Sequence, residues 1–212
     1  MKFKPSLLII GNSNVGKSSI TRLILPNPRK FKGKAGKQPG STLLIKAINL
    51  PQMPYKIVDL PGFGYMKSPS RRREEHLKKQ LIIHIEKHHS EYFLGLVVLN
   101  ITRIEDELIK YHIQNTTTIP LTIELIRFLK EFGMPLLVIL NKIDKVSVFD
   151  RKRIISSMVK TIIEYGIHLY QVNDEKNEDP RSIPFLEFSA LKKNNLDILK
   201  RKINEHLHFG KN

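Results

Sequence analysis

The chain has 212 residues, 41% hydrophobic and 26% charged, enough for one domain that buries roughly 70% of its unfolded surface. It contains no cysteine, which excludes a disulfide framework, a thiolate metal site and a prenyl or palmitoyl anchor. A formal net charge of +16 is the footprint of a phosphate-rich partner or, more blandly, of a lysine-rich proteome.

Apolar runs alternate with helical patterns along the chain, the pattern of βαβ units on a mostly parallel sheet. A strand is expected near residues 3–10. The segment Met1 to Ile10 is basic then apolar, but its apolar part stops after four residues and runs into Gly11, so it reads as a strand rather than a signal peptide. A helix near 17–25 follows, then strands near 43–49 and 55–60. Only Leu50-Pro-Gln-Met-Pro54 separates those two strands. That is too short for a parallel crossover, so they form an antiparallel hairpin. Further along come a helix near 70–89, a strand near 93–100, a helix near 120–132, a strand near 135–141, a helix near 150–165 and a strand near 184–188. The last helix, near 195–208, carries Leu196, Leu199, Ile203 and Leu207 at helical spacing and should pack on the sheet by that stripe.

The expectation is a single α/β domain over residues 1–212, with a six-stranded, mostly parallel sheet, one antiparallel strand and helices on both faces. Residues 27–41, rich in Pro, Gly and Lys, and 171–184, which are polar, read as irregular. No apolar run approaches the roughly 18 residues of a membrane span, so a cytoplasmic, unlipidated monomer with no membrane partner is the simplest expectation. The charge is clustered, in Arg29 to Lys37, Arg71 to Arg73, Arg151 to Arg153, Lys192-Lys193 and Lys200 to Lys202. Aromatics are sparse around these clusters, which favours contact with phosphate backbones over base stacking.

Four short segments carry the chemistry. Gly11-Asn12-Ser13-Asn14-Val15-Gly16-Lys17-Ser18 fits the phosphate-binding loop G-x-x-x-x-G-K-[ST], with the strand Leu7 to Ile10 before it and a helix beginning at Ser19 after it. Backbone N–H groups of such a loop turn toward phosphate oxygens. Lys17 would reach the β and γ phosphates, and the Ser18 hydroxyl would meet Mg²⁺. Thr42, in the segment Gly40-Ser41-Thr42, is the candidate second Mg²⁺ ligand, with Ser41 the competitor.

Asp59-Leu60-Pro61-Gly62 follows a strand, which places the Asp59 carboxylate at the sheet edge as an oxygen ligand for a hard cation. The Gly62 N–H can reach a γ-phosphate, an interaction that ends with hydrolysis. Asn141-Lys142-Ile143-Asp144 follows another strand. Its Asp144 carboxylate can accept hydrogen bonds from guanine N1–H and the 2-amino group, neither of which adenine offers. Lys142 would lie along the base plane, Asn141 would tie this loop to the phosphate loop, and Phe188-Ser189-Ala190 would present a backbone N–H to guanine O6. The candidate ligands are GTP and GDP, with Lys17, Thr42 and Gly62 as catalytic residues and Ser18, Thr42 and Asp59 as metal ligands.

At Gly11 to Ser19, together with Asp59-Leu-Pro-Gly-Phe-Gly-Tyr65, the chain resembles the EngB (YihA/YsxC) family of small GTPases, in the translation-factor-related class. The resemblance extends to Pro39-Gly40-x-Thr42, to Asn141 to Lys145 and to Phe188 to Ala190. It implies a single P-loop G domain, Mg²⁺-dependent GTP binding and slow hydrolysis. It also implies a role in ribosome assembly, chiefly of the large subunit, and in cell division and septation. Many relatives carry Arg where Asn12 stands and Thr-Lys-Ala-Asp where this chain has Asn141 to Asp144, and the segment 102–120 is longer than usual.

Phe63 stands where Ras-like enzymes carry a water-orienting glutamine, so weak intrinsic turnover is expected. Asn14 matches the asparagine of potassium-activated relatives, which makes K⁺ a candidate activating ion. Two functional classes stay open: a GTPase switch that docks on ribosomal RNA or a ribosomal subunit, and a nucleotide-stabilised RNA- or ribosome-binding module with negligible hydrolysis. A metabolic phosphotransferase fits poorly with the guanine loop. His84 and His88 have metal-ligand spacing on the second helix, but helix-surface histidines are commoner.

Overall fold

Ser6–Gly11 is buried along its whole length and forms β1, as an uninterrupted apolar run covered on both faces by helices must. The structure, a computed structural model, describes residues 4–27, 45–62, 71–108, 119–173, 179 and 181–209. After β1 come α1 (Lys17–Ile24), β2 (Lys46–Ile48), β3 (Lys56–Asp59), α2 (Arg71–His88), β4 (Tyr92–Asn100) and α3 (Ile101–Leu108). The chain then builds α4 (Leu121–Glu131), β5 (Leu136–Asn141), α5 (Val148–Glu164), β6 (Leu169–Gln171), β7 (Ile183–Glu187) and α6 (Leu196–Phe209).

The strands lie in the order β2-β3-β1-β4-β5-β7-β6. Among the described strand pairs only β2–β3 is antiparallel, with Lys46 opposite Asp59 and Ile48 opposite Ile57, the hairpin that the short connection requires. Period-two alternation divides the core in two. Leu8, Ile10, Val97, Leu99, Val138 and Leu140 face a layer with α2, α3, α4 and α5, whereas Leu7, Ile9, Leu96, Val98, Leu137 and Ile139 face α1 and α6. The α6 stripe packs as its spacing predicts: Leu199, Ile203 and Leu207 are buried and Leu196 lies against them.

Two elements differ from the sequence reading. Among the described residues the sheet has seven strands rather than six, because β6 adds to its edge in parallel to β7. β6 ends on Gln171, the first residue of the segment expected to be irregular, and among the described residues one neighbouring strand supplies its sheet pairing. The second is α3, which starts where β4 ends. Asn100 turns the chain there: its buried side-chain Oδ1 accepts from the Thr102 N–H (3.1 Å) and hydroxyl (3.0 Å). Ile101 and Ile104 then anchor the helix in the core.

Candidate functional site

β1 lies between β3 and β4, the point where strand order reverses, so the loops leaving these strands converge at one edge of the sheet. The loop after β1 turns at Asn14, whose φ of 61° is left-handed, and at Gly16, with φ 107°. Asparagine tolerates that region, and glycine enters it without steric cost. Gly16 begins α1 without a side-chain cap, so the positive end of the helix is offered to whatever anion occupies the loop. A Cβ on Gly16 would lie 2.2 Å from Asn141 Nδ2.

Lys17 follows at the start of α1 and is almost fully buried, with its Nζ donating to the carbonyls of Gly11 (3.0 Å) and Asn12 (2.8 Å). Burial lowers its pKa from 10.5 to about 8, and the charge of Asp59 pushes the other way. Asp59 closes β3 and is itself 2% exposed. Ser18, half-buried in the first turn of α1, and Asp59 are hard oxygen donors of the kind Mg²⁺ takes. The turn after β3 lies directly on the phosphate loop: a Cβ on Gly62 would meet Ser13 Cα and N at 2.7 Å and Lys17 Nζ at 3.0 Å. Only glycine fits that approach.

From the other side comes the segment after β5. Asn141 is 1% exposed and spends its amide on two separate loops, Nδ2 donating to the Val15 carbonyl (2.7 Å) and Oδ1 accepting from the Ala190 N–H (3.0 Å). Lys142 is left-handed (φ 69°) and donates from Nζ to the Asn14 carbonyl at 2.6 Å. Burial lowers the Lys142 pKa, helped by Arg103 and opposed by Asp144.

Asp144 lies in a short 3₁₀ turn, Ile143–Lys145, and its Oδ1 accepts from the Ser189 hydroxyl at 2.5 Å. Ser189 Oγ in turn accepts from the Lys192 N–H (3.0 Å), and the Ile143 N–H donates to the Phe188 carbonyl (3.2 Å). Three of the four candidate segments are thus brought together. Val15, Leu60, Ile143 and Phe188 turn their side chains into the core, which leaves their backbone to the site. Gly40, Ser41, Thr42 and Phe63 lie outside the described residues.

Glu107 of α3 joins the site with no motif to mark it in the sequence. Its Oε2 accepts from Asn12 Nδ2 (3.3 Å), and its Oε1 accepts from the N–H (3.1 Å) and hydroxyl (2.8 Å) of Thr122 at the start of α4. No local signal could have found it, since its partners are 95 and 15 residues away. The histidines of α2 are otherwise engaged: His84 Nε2 pairs with the Tyr92 hydroxyl at 2.8 Å, and His88 Nδ1 with Glu91 Oε1 at 2.7 Å. Among the described residues no cluster of three His, Asp or Glu side chains is placed to hold a metal, and no helix is long and apolar enough to cross a membrane.

A family model described as 50S ribosome-binding GTPase matches residues 6–142. A probable GTP-binding protein EngB of Methanococcus aeolicus is 29% identical over 159 residues, which cover 75% of this chain and 66% of that protein, so the match spans just under two thirds of the relative. Its counterpart in Halobacterium salinarum is 31% identical over 146 residues, 69% of this chain and 68% of that one. Among solved structures, a probable GTP-binding protein engB aligns at a TM-score of 0.70 and 24% identity, covering 96% of this chain and 98% of its own. Era in complex with MgGDPNP and nucleotides 1506-1542 of 16S ribosomal RNA aligns at 0.59 and 19% identity, covering 97% and 57%. With a GTPase family model running from the first strand to Lys142, and relatives of one description aligned over most of its length, this chain belongs to the EngB family of GTP-binding proteins.

Proposed function

We propose that this chain binds GTP and GDP with Mg²⁺ at the converging loops, hydrolyses GTP slowly, and uses the difference between the two states as a switch in assembly of the large ribosomal subunit. The observation that carries this reading is the Asn141 amide, which joins the phosphate loop at Val15 to the Ser189-Ala190 loop, so that one buried side chain holds both ends of a nucleotide site in register.

In this reading Lys17 moves its ammonium from the carbonyls of Gly11 and Asn12 to the β and γ phosphate oxygens. Ser18 and Asp59, with Thr42, hold the metal, which when bound neutralises phosphate charge. The Gly62 N–H donates to the γ-phosphate until hydrolysis removes that acceptor, which gives the switch its two states. Asp144, oriented by Ser189, accepts from guanine N1–H and the 2-amino group. The Ala190 N–H is engaged with Asn141 Oδ1, so any bond to guanine O6 is shared with that partner. Asn14 supports K⁺ as an activating ion.

The ribosomal partner is supported by the description of the matched family, by the RNA bound to the Era neighbour, and by the net charge of +16. One residue favours a second reading, a nucleotide-stabilised ribosome-binding module with negligible hydrolysis. Phe63 cannot orient water by hydrogen bonding. Turnover of GTP measured with and without purified large subunits, in potassium and in sodium buffers, separates the two. A switch is stimulated by subunits; a module is not. Equal rates in the two salts dispose of the potassium assignment.

A further inference from the structure

The most exposed large apolar side chains among the described residues are Phe149 at 78%, Leu191 at 69% and Val148 at 60%. They fall on two segments held side by side next to the base loop. Ser189 Oγ bonds both Asp144 and the Lys192 N–H, Arg151 of α5 pairs with Glu187 of β7 (3.0 Å), and Asn195 Nδ2 donates to the Glu187 carbonyl (2.8 Å). Phe149 points away from the core because α5 buries its opposite stripe, Ile154, Met158 and Ile162, in the sheet layer. On the same two segments Lys145, Lys152, Lys192 and Lys193 are all exposed. The neighbouring arginines are occupied, Arg151 by Glu187 and Arg153 by Glu105, and Asp150 is drawn back onto Ser147.

We propose that this face, centred on Phe149, docks single-stranded RNA, stacking an unpaired base on the Phe149 ring while Lys145, Lys152, Lys192 and Lys193 meet the flanking phosphates. It rests on the ribosomal reading above and names where on the chain the RNA sits. Aromatic stacking tolerates any base, because every base has a π face, and the exposed lysines of the two segments supply the counter-charge for the backbone. Val148 and Leu191 add exposed apolar surface on the same two segments. The face adjoins the guanine site through Ser189, whose hydroxyl is bonded to Asp144 on one side and to the Lys192 backbone on the other.

The test uses the full chain loaded with GDP and a fluorescent single-stranded RNA of about 12 nucleotides, a length within the usual site size, beside a duplex of the same length. Phe149→Ala should weaken the single strand by about 5- to 100-fold and leave the duplex unchanged, while Phe149→Trp binds like the natural chain. The pair Lys192→Gln and Lys193→Gln should lower the slope of log affinity against log salt by about 0.7 per lysine. GDP affinity and melting temperature should stay at the natural values in every variant, since all these side chains are exposed. Single-strand affinity unaffected by Phe149→Ala overturns the proposal, as does an equal loss on single strand and duplex. Co-sedimentation with ribosomal subunits keeps the two readings apart. If the natural chain fails to sediment, the ribosomal reading fails. If it sediments and Phe149→Ala sediments equally, the docking face fails. If Phe149→Ala loses sedimentation but keeps its RNA affinity, a ribosomal protein covers the face, and the RNA assignment is wrong.

Discussion

Gly16 and Asn141 should be energetically coupled across 125 residues of sequence, and a double-mutant cycle reads that coupling. In Asn141→Ala the Val15 carbonyl and the Ala190 N–H both lose their partner inside the protein. At about 1–3 kcal/mol for each buried group left unsatisfied, with some recovered by relaxation, the expected cost is about 2–4 kcal/mol. In Gly16→Ala the new methyl sits 2.2 Å from Asn141 Nδ2, so the amide must leave and the same bonds are lost, in addition to backbone strain of about 1–2 kcal/mol at φ 107°. The double variant has no amide to expel, so only the strain is added to the Asn141→Ala loss. The coupling should therefore be about 2–4 kcal/mol, far beyond the ~0.5 kcal/mol within which independent sites add. Thermal melts of the nucleotide-free protein measure it, at about 2–4 °C for each kcal/mol in a chain of this size. Simple additivity of the two single losses would refute the claim that this amide holds the loops in register.

Lys17 gives a pH signature: because its folded pKa is depressed to about 8, the unfolded chain holds more protons between pH ~8 and ~10.5, so nucleotide-free stability rises across that window and the full penalty applies below it. Phosphate beside the ammonium restores its charge, so GDP binding at pH ~9 should take up close to one proton; calorimetry in buffers of different ionisation enthalpy reads this, and Lys17→Met should abolish it. On the proposed reading of Asp144 as the guanine acceptor, Asp144→Ala should weaken GDP by about 100-fold or more while leaving any ADP binding unchanged, in a fluorescent-nucleotide displacement assay. Gly62→Ala drives a methyl to 2.7 Å from the Ser13 backbone and should lower the melting temperature by about 3–10 °C; an unchanged melt would show that the two loops do not touch.

Much of the site is legible in the sequence because its signals are local. A phosphate-loop motif between an apolar strand and a helix, and Asn-Lys-x-Asp after a second strand, are read within a dozen residues each, and the alternation of apolar runs locates most of the strands along the chain. What escapes is tertiary. β6 is three residues long, ends in Gln171 and gains its identity from pairing with β7. α3 has only Ile101 and Ile104 as buried anchors before residue 108, and its start depends on Asn100 folding its side chain onto Thr102. Glu107 looks like any helix-surface acid until the fold brings Asn12 and Thr122 to it. The left-handed turn at Lys142 is similarly silent, since lysine carries no preference for that region, and the Nζ bond to the Asn14 carbonyl shows what it serves.

The central claim is that the loops after β1, β3, β5 and β7 form one guanine-nucleotide site. Its most direct test is the affinity of the purified, folded chain for GDP against ADP in the presence of Mg²⁺. A preference for GDP of about 100-fold or more is expected, because the Asp144 carboxylate finds two donors on guanine and none on adenine. Equal affinities for the two nucleotides would contradict it.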